Sequence, residues 1–335
     1  MLSPNRRTFL ALGVLTGALV VSGCSGGSGG GGGGGHKADP DLPLRARAVA
    51  ATDTLLAGYD AVLAGPGAAQ AEQLKALRTE VAAHRTALAT GLPAPSGTAA
   101  ASPSALPAAT GTGTAPGSVA ALAALEHSTA ESRLADLDAA SPALAKLLAA
   151  VATSDALHAA TLGDQSPVTA PKADAPTAGP AASASAAATT SAKAAPKPSA
   201  EATALQTALA AEHAAVYGYG VIGGHLPAGA QREDGHASYA AHQAQRDAWQ
   251  RLLADGGATP TAAAAGYRLP TAVTSPATAA DLAVHIEAQL TAVYADLVAA
   301  TTGPLRQTAA EALRNTAFRA RHWGGALPAL PGVIG

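Results

Sequence analysis

The sequence predicts an all-α protein. Alanine dominates the composition, apolar residues recur at three- and four-residue intervals through one segment after another, and no segment reads convincingly as a strand. Alanine enters a helix without losing side-chain freedom, so these segments are strong helix formers. They also make a thin core, because each buried methylene contributes only about 0.8 kcal/mol. Stability then has to come from many close helix contacts and not from a few large anchors.

The chain opens with Asn5-Arg6-Arg7-Thr8-Phe9-Leu10, an apolar stretch to Val21, and Val21-Ser22-Gly23-Cys24. A basic start, a short apolar run and a small-residue cleavage site make residues 1–24 an export signal, too short to span a bilayer as a mature helix. The pattern around Arg6 and Arg7 resembles a twin-arginine signal, and Val-Ser-Gly-Cys resembles a bacterial lipobox. The resemblance implies that Cys24 becomes the lipid-modified first residue of the mature chain, anchored to the outer face of the cell membrane. Cys24 is the only cysteine, so lipidation leaves no thiol for a disulfide. Residues 25–43, almost pure glycine as far as Gly35, read as a flexible tether.

Residues 44–163 form a first helical bundle. Val49, Leu56 and Leu63 mark one face of its first helix. Leu74, Leu77, Val81, His84 and Leu88 mark the second. A Pro-, Ser- and Thr-rich loop follows. A third helix runs through Leu122, Leu125, Leu134 and Leu137, and a fourth through Leu144, Leu147, Val151 and Leu162. Ser141-Pro142 stands between these two, with proline where a first helical turn tolerates it. Residues 164–198 carry no apolar periodicity and cannot bury enough surface to offset their ordering entropy, so they read as a disordered linker.

Residues 199–335 form the second bundle. Ser199 is a good N-cap with Glu201 in the first turn. The helix it opens passes through Leu205, Leu209, Glu212, Val216 and Tyr219. The next passes through Tyr239, His242, Arg246, Trp249 and Leu253. A long connection, 256–274, is broken by Pro260 and Pro270. Ser275-Pro276 then opens a helix through Leu282, Ile286, Leu290, Val293 and Leu297, and Gly303-Pro304 starts the last, through Leu305, Ala309, Ala312, Thr316 and Trp323. Short links make the first and last pairs antiparallel. The long crossover lets the middle two helices point the same way, which is the ferritin-like arrangement of a four-helix bundle. The first region follows the same plan in degenerate form. His84 and His242 both lie in a second helix after an Ala-Ala pair, and Glu126 and Glu287 both lie in a third, the pattern a duplication would leave.

Net charge is −2 and no dense basic run exists, so the electrostatic footprint of a nucleic-acid binder is missing. Aromatics at 3% leave few platforms for stacking bases or sugars. The chemistry-bearing candidates are polar groups on apolar stripes: Glu212, His242, Arg246, Glu287, Arg319 and His322. A di-iron bundle needs one glutamate from each of two helices and a Glu-x-x-His pair from each of the others. Glu212 and Glu287 suit the single positions, and His242 and His322 the histidines. The residues three positions earlier, however, are Tyr239 and Arg319, and an arginine cannot be deprotonated to make room for a metal. Two readings follow. In the first, Glu212, His242, Arg246, Glu287 and Arg319 neutralise one another in a buried, metal-free network. In the second, Glu212, His242, Glu287 and His322 hold iron or manganese. His127, His158, His213, His225 and His285 show no mutual ligand spacing and default to solvated or capping roles.

Glu212-His213-Ala-Ala-Val-Tyr217-Gly218-Tyr219-Gly220, His242-x-x-x-Arg246-Asp247, Gly266-Tyr267-Arg268-Leu269-Pro270, Glu287 to Tyr294 and Ala320-Arg321-His322-Trp323 together resemble a family of uncharacterised ferritin-like domains from exported actinobacterial lipoproteins. The resemblance covers roughly residues 200–330. It implies a ferritin-like bundle and no established activity. The expected protein is a non-enzymatic, lipid-anchored envelope protein, held to the membrane through Cys24, with an unidentified envelope-protein or small-molecule partner. The alternative is a metal-binding protein or oxidoreductase of di-iron type.

Overall fold

The computed structural model describes residues 39–65, 70–92, 117–170 and 199–333, which fall within one compact unit, Asp39–Gly335. Arg6, Arg7, Cys24 and most of the tether and linker lie outside the described residues. Among those described there are eight α-helices and no strand: α1 (Asp41–Leu63), α2 (Ala71–Ala89), α3 (Val119–Ala135), α4 (Pro142–Thr161), α5 (Ala200–His225), α6 (Ala230–Asp255), α7 (Pro276–Ala300) and α8 (Gly303–His322). Serines cap several of them as their sequence position requires. Ser118, Ser141, Ser199 and Ser275 each accept a backbone N–H of the first turn, and Ser275 forms a full capping box with Thr278.

Helix direction can be read from paired contacts. Tyr219 meets Glu287 while Glu212 meets Tyr294, so α5 and α7 are antiparallel. His242 meets Glu287 while Trp249 meets Tyr294, so α6 and α7 run parallel, as the long crossover requires. The same neighbours recur in each half: α1 packs on α2 and α3, and α3 on α4; α5 packs on α6 and α7, and α7 on α8.

Three details differ from the sequence reading. In α1 the buried face is Leu44, Ala48, Thr52, Leu55 and Tyr59, while Val49, Leu56 and Leu63 are only half-buried. The stripe is rotated by about one residue, which lets the Tyr59 hydroxyl point inward. The helix also begins within the segment assigned to the tether. Asp41 is its first residue and is buried, accepting the backbone N–H of Ser141 at 2.9 Å. Finally, residues 164–170, read as the start of the linker, stay with the fold: Val168 is only 5% exposed and joins the main core.

That core is common to both bundles. Leu144, Leu148 and Val151 of α4 share one cluster with Leu290 and Leu297 of α7 and Leu313 of α8. By length and composition α4 and α7 could each cross a membrane, but 78% and 50% of their apolar stretches are buried inside the protein. α4 is apolar nearly all round because it packs on neighbours from both bundles. Polar ties reinforce the junction. Arg306, 2% exposed, donates to the carbonyls of Leu137 and Ala140 in the first bundle at 2.7 and 2.9 Å, and to Thr301 O at 2.6 Å. Beyond α8 the chain turns back onto the first bundle, where Ala329 O accepts from His84 Nε2 and Ser154 Oγ, both at 2.7 Å.

Candidate functional site: two buried polar centres and the cleft between the bundles

The centre of the second bundle is built on His242, 0% exposed. Its Nδ1 lies 2.8 Å from Glu212 Oε2 and its Nε2 3.0 Å from Glu287 Oε1. Two carboxylate partners require a proton on each ring nitrogen, so the ring is an imidazolium. Burial alone would lower its pKa, but the bonds to Glu212 and Glu287 outweigh burial and raise it. Arg319 Nε donates to Glu287 Oε1 at 2.9 Å, as does the Tyr219 hydroxyl at 2.6 Å. The Tyr294 hydroxyl donates to Glu212 Oε1. Burial would raise the Glu287 carboxyl, yet the His242 hydrogen bond and the Arg319 charge hold it below the usual carboxylate range. Two carboxylates, one imidazolium and one guanidinium sum to zero.

Four of the five residues of the expected polar network therefore meet, and Arg246 does not. The interior stripe of α6 is Ser238, His242, Trp249 and Leu253. Arg246 falls on its flank, where its side chain is 24% exposed and pairs with neighbouring Asp247 at 2.7 Å. His322 is likewise not in the core. Its side chain is 54% exposed and pairs with Asp234 at 3.1 Å, because it stands on the outer face of α8 while Ala320 and Trp323 carry the buried seam. The four-ligand set Glu212, His242, Glu287 and His322 is thus not assembled.

A second centre occupies the first bundle. The Tyr59 hydroxyl donates to Glu126 Oε1 at 2.6 Å. His158, 2% exposed, places Nδ1 3.2 Å from Glu126 and Nε2 3.0 Å from Glu80. Here too burial is overridden by the two carboxylates, and the ring is pushed up to about 9. Arg133 pairs with Asp155 and donates to Thr52 Oγ1 at 2.7 Å. His84, stacked 5.7 Å from His158, donates Nε2–H to Ala329 O; burial, with the charges of His158 and Arg133, pushes it down to about 3.

Donor atoms of Glu126, Asp155 and His158 lie within 4.8 Å of one another. A metal ion would suit that spacing, but Asp155 is taken by Arg133 and both nitrogens of His158 carry protons. Three acids, Glu80, Glu126 and Asp155, face two cations, Arg133 and the His158 imidazolium, and with Asp155 and both ring nitrogens already engaged the residues as arranged do not fit a divalent ion. Sequence reasoning missed this centre by setting His158 aside. The legible signal was Asp155-x-x-His158, an acid and an imidazole on one face of α4.

Where the bundles meet, a cleft of about 380 Å³ is lined by Leu77 and Glu80 of α2, Ser154, Leu157 and His158 of α4, Arg321 of α8 and the segment 324–328. It brings an acid, an imidazolium and a guanidinium into one partly enclosed space.

No curated protein matches the chain. A solved structure, that of a conserved hypothetical protein, rv2844, from Mycobacterium tuberculosis, is 37% identical, over 37% of this chain and 95% of that one, with a TM-score of 0.36. The family match falls on the second bundle: residues 204–334 match the model of a domain of unknown function, DUF4439.

Proposed function

We propose that the chain is an exported cell-envelope lipoprotein, anchored through Cys24, whose paired helical bundles form a non-enzymatic binding scaffold with metal-free cores. The observation that carries the reading is His242 held between Glu212 and Glu287, with Arg319 on the same glutamate. Buried charges are tolerated when paired and hydrogen-bonded. Here the protein supplies its own cations where a metal pair would otherwise balance the carboxylates. A ferritin-like ancestry for the second bundle draws support from its parallel α6 and α7. The export route rests on Arg6, Arg7 and the Val-Ser-Gly-Cys sequence.

Elemental analysis of the full chain, purified without chelators, tests the core. Iron and manganese are expected far below one atom per chain. Near-stoichiometric metal, lost on Glu212→Ala, would overturn the reading; metal lost on Glu126→Ala instead would place a site in the first bundle. The anchor is tested separately by labelled fatty-acid incorporation, which Cys24→Ser should abolish.

A further inference from the structure

We propose that the cleft between the bundles binds a small zwitterion with an apolar side chain, of the α-amino acid class. The inference rests on the reading of the protein as a binding scaffold and names the site and its ligand chemistry.

The cleft carries charges of both signs: Glu80 pairs with the His158 imidazolium in its wall, while Arg321 is left over. Arg321 is exposed and, among the described residues, forms no ion pair. Glu80 offers Oε2 to His158 at 3.0 Å, which leaves its second oxygen for another donor. His158 cannot turn away to serve as a movable partner, because Glu126 holds its other nitrogen at 3.2 Å. A simple anion drawn to Arg321 would meet the carboxylate of Glu80, and a simple cation drawn to Glu80 would meet Arg321 and the imidazolium. A ligand with its own carboxylate and ammonium satisfies both walls. Leu77, Leu157 and Leu327 supply the apolar part of the lining, as small-molecule pockets generally do around a few placed polar groups.

The walls are also built before any ligand arrives. The segment that crosses from α8 to the first bundle is fixed at both ends. Gly325 N donates to Ala320 O at 2.8 Å, and Ala329 O accepts from His84 and Ser154. Gly324, at φ +90°, makes the turn, and Gly325 lies so close to α8 and α7 that an added Cβ would come within 2.8 Å of Ala320 O and of Val284. Such preorganisation reduces the ordering cost of binding.

The test is calorimetric titration of the full chain, metal-analysed and treated with chelator, with three probes: L-leucine, isocaproate (no ammonium) and isoamylamine (no carboxylate). L-Leucine should bind, and each analogue should bind at least about tenfold more weakly, the scale of one charge-assisted hydrogen bond. Arg321→Gln should weaken leucine by about tenfold while leaving isoamylamine no weaker than before, since the variant removes a charge that repels it. Glu80→Gln, which keeps an oxygen for His158 to donate to, should weaken leucine similarly and leave isocaproate no weaker, since the variant removes the carboxylate that repels it. No saturable heat with leucine, equal binding of an analogue, or indifference to either variant would overturn the proposal. Binding that returns only when metal is restored would instead count against the metal-free scaffold, so the two readings fail by different signs.

Discussion

Tyr59 donates its hydroxyl to Glu126 at 2.6 Å across α1 and α3, and Tyr219 does the same to Glu287, at the same distance, across α5 and α7. The partners stand 67 residues apart in the first bundle and 68 in the second. Around each pair the other contacts repeat in register. Thr52 with Arg133 spans 81 residues and Glu212 with Tyr294 spans 82; Glu126 with His158 and Glu287 with Arg319 both span 32. The two halves thus share one polar blueprint with different side chains written into it, which is the physical form of an internal duplication. Where the second bundle uses Glu212 and Tyr294, the first uses Thr52 and Arg133.

Removing the shared tyrosine should cost little, and removing its glutamate a great deal. Tyr219→Phe deletes one donor to a carboxylate that keeps two others, for an expected loss of about 1 kcal/mol. Glu287→Ala strips Arg319 of its buried carboxylate and leaves the His242 imidazolium with Glu212 alone, and should cost about 3–5 kcal/mol. Urea unfolding of the two variants checks the ratio; equal losses would mean that the carboxylate does not hold the cations together.

Much of this plan was legible because helical periodicity reports burial. The stripe of α2, Leu74 to Leu88 with His84 inside it, is buried as its spacing predicts. α1 is harder, since Ala48 and Thr52 interrupt the leucines of its buried face while Val49 and Leu56 flank it, so a one-residue rotation barely changes the apolar count. The joining of the bundles left almost no trace in the sequence. It depends on α4 presenting apolar residues to neighbours in both bundles and on Arg306 reaching backbone carbonyls, and neither carries a side-chain motif. Arg246 was misplaced for a related reason: spacing alone cannot separate the edge of a stripe from its centre.

Arg306 should behave as a clasp between the bundles. Its guanidinium donates to three carbonyls from two bundles, and Arg306→Ala removes that donor from all three, leaving Leu137 O only the Ala140 N–H at 3.3 Å. A loss of about 3 kcal/mol or more is expected. Limited proteolysis should show earlier cutting at the α4–α8 junction, whereas Gln307→Ala, which removes a single bond to Leu134 O, should scarcely change the pattern. Indistinguishable digestion of the two variants would sink the idea.

The tail after α8 depends on Gly332. Its φ is +76°, and an added Cβ would overlap the carbonyl of Thr291 and crowd Ala295 on α7. Gly332→Ala combines a left-handed backbone with a collision and should cost about 1–3 kcal/mol. The expected signature is release of the tail, read as faster amide exchange from residue 329 onward; unchanged exchange there would show that the tail docks without this turn.

The histidines of the first bundle set opposite limits on stability. His84, pushed down to about 3, is neutral when folded and takes up a proton on unfolding anywhere between that value and the ordinary imidazole pKa of about 6.5. Its neutral burial therefore favours folding fully above about pH 6.5 and progressively less as pH falls. His158, pushed up to about 9, holds its proton in the folded state, so its contribution is full below about pH 6.5 and is lost as pH rises toward 9. The groups facing them are Glu80, Glu126, Asp155 and Arg133, and none of these cations or acids removes the opposition of sign. Tm should therefore peak near pH 6.5. His84→Gln should flatten the acid limb of the curve. His158→Gln should reduce the alkaline limb without abolishing it, because His242, raised by its own two glutamates, acts in the same direction. A Tm that climbs steadily from pH 6.5 to 9 would mean that His158 is not the doubly bonded imidazolium its geometry describes.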